Sequence, residues 1–386
     1  MRALLLSHSP DDENAGASRI YHMLAAGLRA RGHEVDLFHL DAMGLPRQRW
    51  IARAAQRTLM PRYVSRFGAR QVARGYDVVM ASSGMAAPLF ERLRDRPDRP
   101  LLVNHLHGLA VYDHVAAMTE ATLGHYRATH AARLVTGPIQ ARWDDRGIRA
   151  ADLTIVQNRR DLGEVRDRLN GDGAAAMIPA AIHPSLLARS ATVTPSDQRA
   201  PEIVWFAAWQ PRKGCAYLPG AFRIVRAARP DARLVIGGTG RAPADLLQQF
   251  AEPDRAAIDV LPRISVEDQA ALFDRAAIFV FPSLSEGFGL ALAEAMAFGL
   301  AAVAGATGFA ADFLTDGREA RVVAPSAEHL GRALLALIDK PGDRARLAHR
   351  GRAVARRFTS ERMTLAYESA FAEAIAASPR ARRASI

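Results

Sequence analysis

Glu286 and Glu294 stand eight positions apart in the run Glu286-Gly-Phe-Gly-Leu-Ala-Leu-Ala-Glu294, and their spacing suits the recognition of a ligand rich in hydroxyls. Glu286 follows the strand-like Ile278-Phe-Val-Phe-Pro282 and Ser283, in a loop where Gly287 and Gly289 let the backbone approach a ligand closely. A helix is predicted over Leu290–Phe298, stopped by Gly299. Its first amides and positive dipole end would favour a diphosphate. Glu294, one turn in, could then accept hydrogen bonds from a ribose diol. The spacing also fits a plain strand–helix turn, with one solvated glutamate and one charge favouring the helix dipole. Residue types alone leave both readings open.

A second group is Trp209-Gln-Pro-Arg-Lys-Gly214, which follows the apolar run Ile203–Ala207. Lys213 and Lys340 are the only lysines among 51 basic residues. An ammonium on a flexible stem suits a phosphate oxygen, and at ~4 Å with an effective dielectric of about 20 the attraction reaches roughly 4 kcal/mol before desolvation. Gly237-Gly-Thr-Gly240 departs from a dinucleotide fingerprint, because Pro243 stands where the third glycine belongs. It reads as a tight turn after a strand.

These groups need a scaffold that puts loops at strand ends. Predicted strands cover 3–7, 34–40, 77–81, 101–106 and 153–157 in the first half, and 203–207, 233–237, 258–261, 278–282 and 301–304 in the second. Helical stretches such as Ser18–Arg31 and Ser265–Arg275 lie between them. Strand–helix alternation predicts an α/β fold with parallel sheets covered on both faces. The polar, Pro-bearing segment 188–201 reads as a linker. The expected domains are 1–195 and 196–359, with a helix over about 360–378 packing back on the first and a disordered basic tail at 379–386. In open parallel sheets ligands bind outside the carboxyl ends of the strands, so two such sheets would face a cleft between the domains.

The chain has 386 residues, 49% hydrophobic and 24% charged, a globular balance with room for two cores. Its net charge of +11 favours a phosphate-bearing ligand or an anionic membrane surface. Cys215 is the single cysteine, which excludes an internal disulfide framework, fits a reducing compartment and reads as a small buried residue. The apolar run at residues 1–7 is too short for a signal peptide, and no stretch has the length of a membrane span. Residues 43–75 carry eight arginines and no acid, interleaved with Trp50, Ile51, Leu59, Met60, Tyr63 and Phe67. That composition suits peripheral contact with anionic lipid or a phosphorylated acceptor, and equally a solvated arginine-rich surface. No nucleic-acid-binding motif accompanies the charge.

The second half, from about Ile203 to Arg357, resembles the nucleotide-binding domain of retaining GT-B glycosyltransferases of family 4, the glycosyl transferases group 1. The resemblance rests on Arg212-Lys213-Gly214, Leu234-Val-Ile-Gly-Gly238, Pro282-Ser-Leu-Ser-Glu-Gly-Phe-Gly289, Glu294-Ala-Met-Ala and Asp316-Gly317. It implies a GT-B fold of two Rossmann-like domains and a metal-independent transfer from a nucleotide diphosphate sugar, the donor substrate, to an acceptor hydroxyl, without a cofactor. It further implies that Glu286 contacts the donor sugar, that the backbone of Gly287, Phe288 and Gly289 lines sugar and phosphates, that Glu294 binds the ribose, and that Lys213 holds the diphosphate. Family members commonly carry an arginine five residues before that lysine. Ala208 stands there, with Arg212 as the substitute, and Asp312 replaces a usual glutamate. A nucleotide-sugar epimerase or a non-catalytic nucleotide-sugar-binding protein is the alternative. A cytoplasmic location, at most peripheral on the inner membrane face, is expected.

The first half resembles the family's acceptor domain more loosely. Gly16 stands where a loop glycine could approach phosphates or acceptor. His107 ends Leu101-Leu-Val-Asn-His-Leu-His107 before Gly108, where it could orient the sugar or stabilise developing charge, or be a satisfied strand-end histidine. Spacing does not separate it from His105. His33 reads as structural, in a helix stop leading into a strand.

Overall fold

The computed structural model describes residues 1–13, 16–44, 59–125, 131–169 and 173–377, with backbone alone for 131–136. The chain divides into two compact units. The first comprises 1–115, 128–181 and 360–386, and the second 116–127 and 182–359.

The first unit is built on a six-stranded sheet of order β2-β1-β3-β4-β5-β6, parallel throughout. Its strands are β1 (Arg2–Leu6), β2 (Glu34–Phe38), β3 (Val78–Ser82), β4 (Leu101–His105), β5 (Leu153–Val156) and β6 (Ala174–Met177). The central strands β3, β4 and β5 are buried along their whole length, as a sheet covered on both faces requires. The Ser360–Ala377 helix belongs to this unit. Its Thr364 lies so close to Gly27, in the Gly16–Ala30 helix, that a Cβ there would sit 2.1 Å from the Thr364 hydroxyl oxygen. Glu368 holds His33 at 2.7 Å and Arg31 at 2.6 Å, which gives His33 a structural partner.

The second unit repeats the plan with order β12-β11-β10-β7-β8-β9, again all parallel. These are β7 (Ile203–Phe206), β8 (Leu234–Gly237), β9 (Ile258–Leu261), β10 (Ile278–Phe281), β11 (Ala301–Ala304) and β12 (Arg321–Val322). Its core gathers Trp205, Phe222, Leu234, Ile236 and Val280. Chain progression reverses between β7 and β10, which are neighbours in the sheet, so their following loops diverge and leave a crevice.

Two expectations need correction. Segment 188–201 is not a free linker: the guanidinium of Arg199, 7% exposed, donates to the carbonyls of Phe273, Ala276 and Phe298, and Ser196 Oγ donates to Ala277 O at 3.2 Å. The division therefore falls after Ala181 and not at 195, and residues 116–127 group with the second unit, where buried Glu120 receives Tyr217 and His125. The basic segment forms a helix over Met60–Val72 whose apolar face is already used, with Met60 and Val64 buried in the first unit's core and Phe67 against Phe38. Trp50 and Ile51 lie outside the described residues, as does the 379–386 tail. Among the described residues no helix is long and apolar enough to cross a membrane.

Candidate functional site

The divergent loops after β7 and β10 bring together the two groups singled out in the sequence. After β7 the chain turns through Pro211–Lys213 and reverses at Gly214, whose φ is +65°. A Cβ on Gly214 would lie 2.0 Å from the Pro282 carbonyl oxygen, so only glycine lets this turn close onto the β10 loop. The Arg212 carbonyl ties the two by accepting from Leu284 N at 2.7 Å and Ser283 Oγ at 3.0 Å. A third loop, after β11, completes the wall. Gly308, at φ +51°, lies where a Cβ would be 2.4 Å from Phe288 O and 2.9 Å from Glu286 Cβ.

Glu286 is 6% exposed and is held on several sides. Its Oε1 accepts from Lys213 Nζ at 2.5 Å and from Ser283 Oγ at 2.6 Å, while its Oε2 lies 3.7 Å from Arg212 Nη1. Burial pushes this carboxyl's pKa up, but Lys213 and Arg212, with the Lys213 and Ser283 hydrogen bonds, outweigh it and leave the pKa below the ordinary value. The group is thus a fixed anion, poised as a hydrogen-bond acceptor. Lys213 is not a lone phosphate ligand awaiting its partner: it is engaged by Glu286 and lies over the Phe281 ring at 5.4 Å.

Gly289, at φ +98°, heads the Leu290–Ala297 helix; its carbonyl accepts from the amides of Leu292 and Ala293, so the amides of Leu290 and Ala291 are the ones the helix itself leaves unbonded. The Phe288 ring packs among Phe309 and Phe358, so this residue can offer a ligand only its backbone. Glu294 is buried, 2% exposed, and accepts from Gln269 Nε2 at 2.7 Å. Gln269 itself lies on the Val266–Arg275 helix, which opens with a capping box of Ser265 and Asp268.

In the first unit the two candidate histidines separate. His105 is fully buried, its Nε2 shared by Tyr367 OH at 3.0 Å and Gln157 Nε2 at 3.4 Å. His107, beyond the end of β4, has both ring nitrogens buried without a hydrogen-bond partner. Desolvation, then the nearby His105 and His8, keep its pKa well below the usual histidine value, so it is neutral near pH 7. An unsatisfied neutral imidazole at a carboxyl edge is a donor or acceptor without a structural task. Its neighbour His8 bonds Ser82 Oγ at 2.7 Å, and burial lowers its pKa to about 4. Gly16 is exposed at the start of the Gly16–Ala30 helix.

Residues 190–354 match the family described as glycosyl transferases group 1. That match lies wholly within the second unit. A sucrose-phosphate synthase from Thermosynechococcus elongatus superposes with a TM-score of 0.77 over 98% of this chain and all of that one, at 20% identity. An Anabaena protein crystallised with UDP and glucose gives 0.67 over 96% of this chain and 99% of its own, at 18% identity. The fold is GT-B. In sequence, a Corynebacterium glutamicum GDP-mannose-dependent monoacylated alpha-(1-6)-phosphatidylinositol monomannoside mannosyltransferase is 33% identical over 150 residues, 37% of this chain. That match spans 39% of the relative's length.

Within the matched segment, Ala208 is exposed and adds no charge, so Arg212 and Lys213 are the cations at Glu286. Ser283, Gln269 and Gly308 were not foreseen. Ser283 carried a signal, a hydroxyl three residues before the key acid in the same loop. Gln269 carried none, since 25 positions separate it from Glu294. Gly237–Gly240 forms a turn with positive φ at Gly238 and Gly240, and Cys215 is buried with Sγ 3.3 Å from Gln210 O.

Proposed function

We propose that the protein transfers a sugar from a nucleotide diphosphate donor to an acceptor hydroxyl, with retention at the anomeric carbon. The observation carrying this reading is the buried Glu286 carboxylate, fixed as an anion by Lys213 and Ser283 at the crevice between β7 and β10. A rigid acceptor at that place suits sugar hydroxyls, each charge-assisted bond contributing about 1.5–3 kcal/mol. As the bond from the anomeric carbon to the diphosphate oxygen breaks, Lys213, Arg212 and the start of the Leu290–Ala297 helix stabilise the charge left on the diphosphate. The acceptor oxygen forms the new bond from the same face and gives its proton to the departing phosphate. Glu294 takes the ribose, and His107 holds a hydroxyl or steadies developing charge. The mannosyl and phosphatidylinositol terms in the C. glutamicum relative's name and the UDP of the Anabaena structure define the first donors and acceptors to try.

The test follows product formation by mass spectrometry over UDP- and GDP-sugars with polyol, phospholipid and glycan acceptors. Glu286→Gln is expected to lower turnover by about one to two orders of magnitude per lost bond, leaving nucleotide binding largely intact. Unchanged turnover overturns the site, while donor isomerisation without acceptor points to an epimerase. Arg62, Arg66 and Arg70 form an exposed row at helical spacing in the first unit, the remaining support for peripheral contact with anionic lipid. Co-flotation with phosphatidylglycerol vesicles that is lost at high salt is the expected result, and flotation equal to neutral vesicles rejects it.

A further inference from the structure

The geometry points to a divalent transition-metal site in the first unit, made by Asp11, His22 and His39 and separate from every residue assigned above. One ligand atom from each of the three lies within 4.8 Å of the others. Asp11 Oδ1 is 2.7 Å from His22 Nε2 and 3.6 Å from His39 Nε2. Two imidazole nitrogens and one carboxylate oxygen form the donor set of three-ligand zinc and related sites, which keep a further position for water or an exogenous ligand. Imidazole in the set selects zinc, cobalt, nickel or iron over magnesium and calcium.

His39 carries the argument. It is 5% exposed, and its Nε2 is buried without a hydrogen-bond partner although it faces Asp11. A buried donor or acceptor left unpaired costs stability unless something engages it. The opposite nitrogen, Nδ1, lies 3.4 Å from Ser18 Oγ, the outer contact that orients a metal-ligating histidine and fixes its tautomer. His22 has the same two-sided arrangement, with Asp11 on Nε2 and Glu13 3.8 Å from Nδ1. The Asp11 amide donates to Asp41 Oδ2 at 2.8 Å, which pins the loop that presents its carboxylate. The His22 and His39 rings are stacked, 4.7 Å apart and 18° from parallel, so the nitrogens converge only after a tilt. His22, with its side chain 28% exposed, has room to make it.

The three ligands come from the loop after β1, the helix following it and the end of β2. A bound metal would therefore clamp the carboxyl-end loops of two adjacent strands. The test uses full-length, tag-free protein titrated with cobalt(II) alone, read by its visible ligand-field bands, and with zinc(II) against a chromophoric chelator. One metal per chain is expected, weakened at least about tenfold in His39→Gln and in Asp11→Asn, and unchanged in His33→Gln, a histidine outside the cluster. Zinc is also expected to raise the wild-type melting temperature and not that of His39→Gln, provided circular dichroism shows the variant folded. Absence of saturable binding, or equal binding by wild type and both folded ligand variants, overturns the site.

Discussion

Lys213→Met is expected to destabilise the protein by about 3–5 kcal/mol and to reduce kcat/KM by roughly two to three orders of magnitude. In the proposed scheme the substitution removes a phosphate ligand, and at the same time it leaves Glu286 a buried anion with the Arg212 guanidinium at 3.7 Å. The two losses can be told apart. A second change, Glu286→Gln, removes the uncompensated charge, so the double variant should regain most of the stability and none of the turnover. Urea denaturation of wild type, both single variants and the double variant checks this, and additive losses of stability would reject the coupling. The pH dependence follows from the same pair. The lowered pKa of Glu286 gives native stability that is present above the ordinary carboxylate value of 4.5 and is lost as pH falls through the folded value. Without Lys213 burial pushes the pKa the other way, so the variant's deficit should shrink on acidification below about pH 5.

Gly214→Ala is the second large effect, and Gly240→Ala is its control. The two glycines have almost the same backbone angle, φ +65° and +63°. A left-handed alanine costs roughly 1–2 kcal/mol at either position. Around Gly240 nothing lies within 4 Å of the added carbon, whereas at Gly214 it would meet Pro282 O at 2.0 Å and push the Arg212–Lys213 turn off the Glu286 loop. Gly214→Ala should therefore cost several kcal/mol more than its control and lose at least about a hundredfold in turnover, although residue 214 touches no substrate in this scheme. Equal unfolding midpoints for the two variants would reject the steric argument.

The strand–helix alternation made the architecture legible because buried parallel strands are short apolar runs separated by breakers, and ten of these were visible. β6 escaped because it reads Ala-Ala-Ala-Met and lacks branched residues, and β12 because two residues carry no period. Glu286 and Lys213 were legible as residue types. Their bond was not, since it spans 73 positions and depends on β7 and β10 being sheet neighbours. The same limit hid the difference between His105 and His107. Alternation along β4 says which side a ring leaves from, and the hydroxyl that engages Nε2 of His105 comes from Tyr367, at the far end of the chain. Segment 188–201 misled because its polar residues looked solvated, whereas the Arg199 guanidinium is spent on carbonyls at the ends of a helix and a turn.

The helix that supplies Tyr367 also sets an order of assembly. The first unit takes its opening strands from the start of the chain and its Ser360–Ala377 helix from beyond the whole of the second. During synthesis the second unit emerges nearly contiguous and can fold as it appears. The first must wait, with Tyr21, Gly27 and His105 uncovered, until that helix leaves the ribosome to seal it. Its closure depends on contacts between distant parts of the chain, the kind that form slowly.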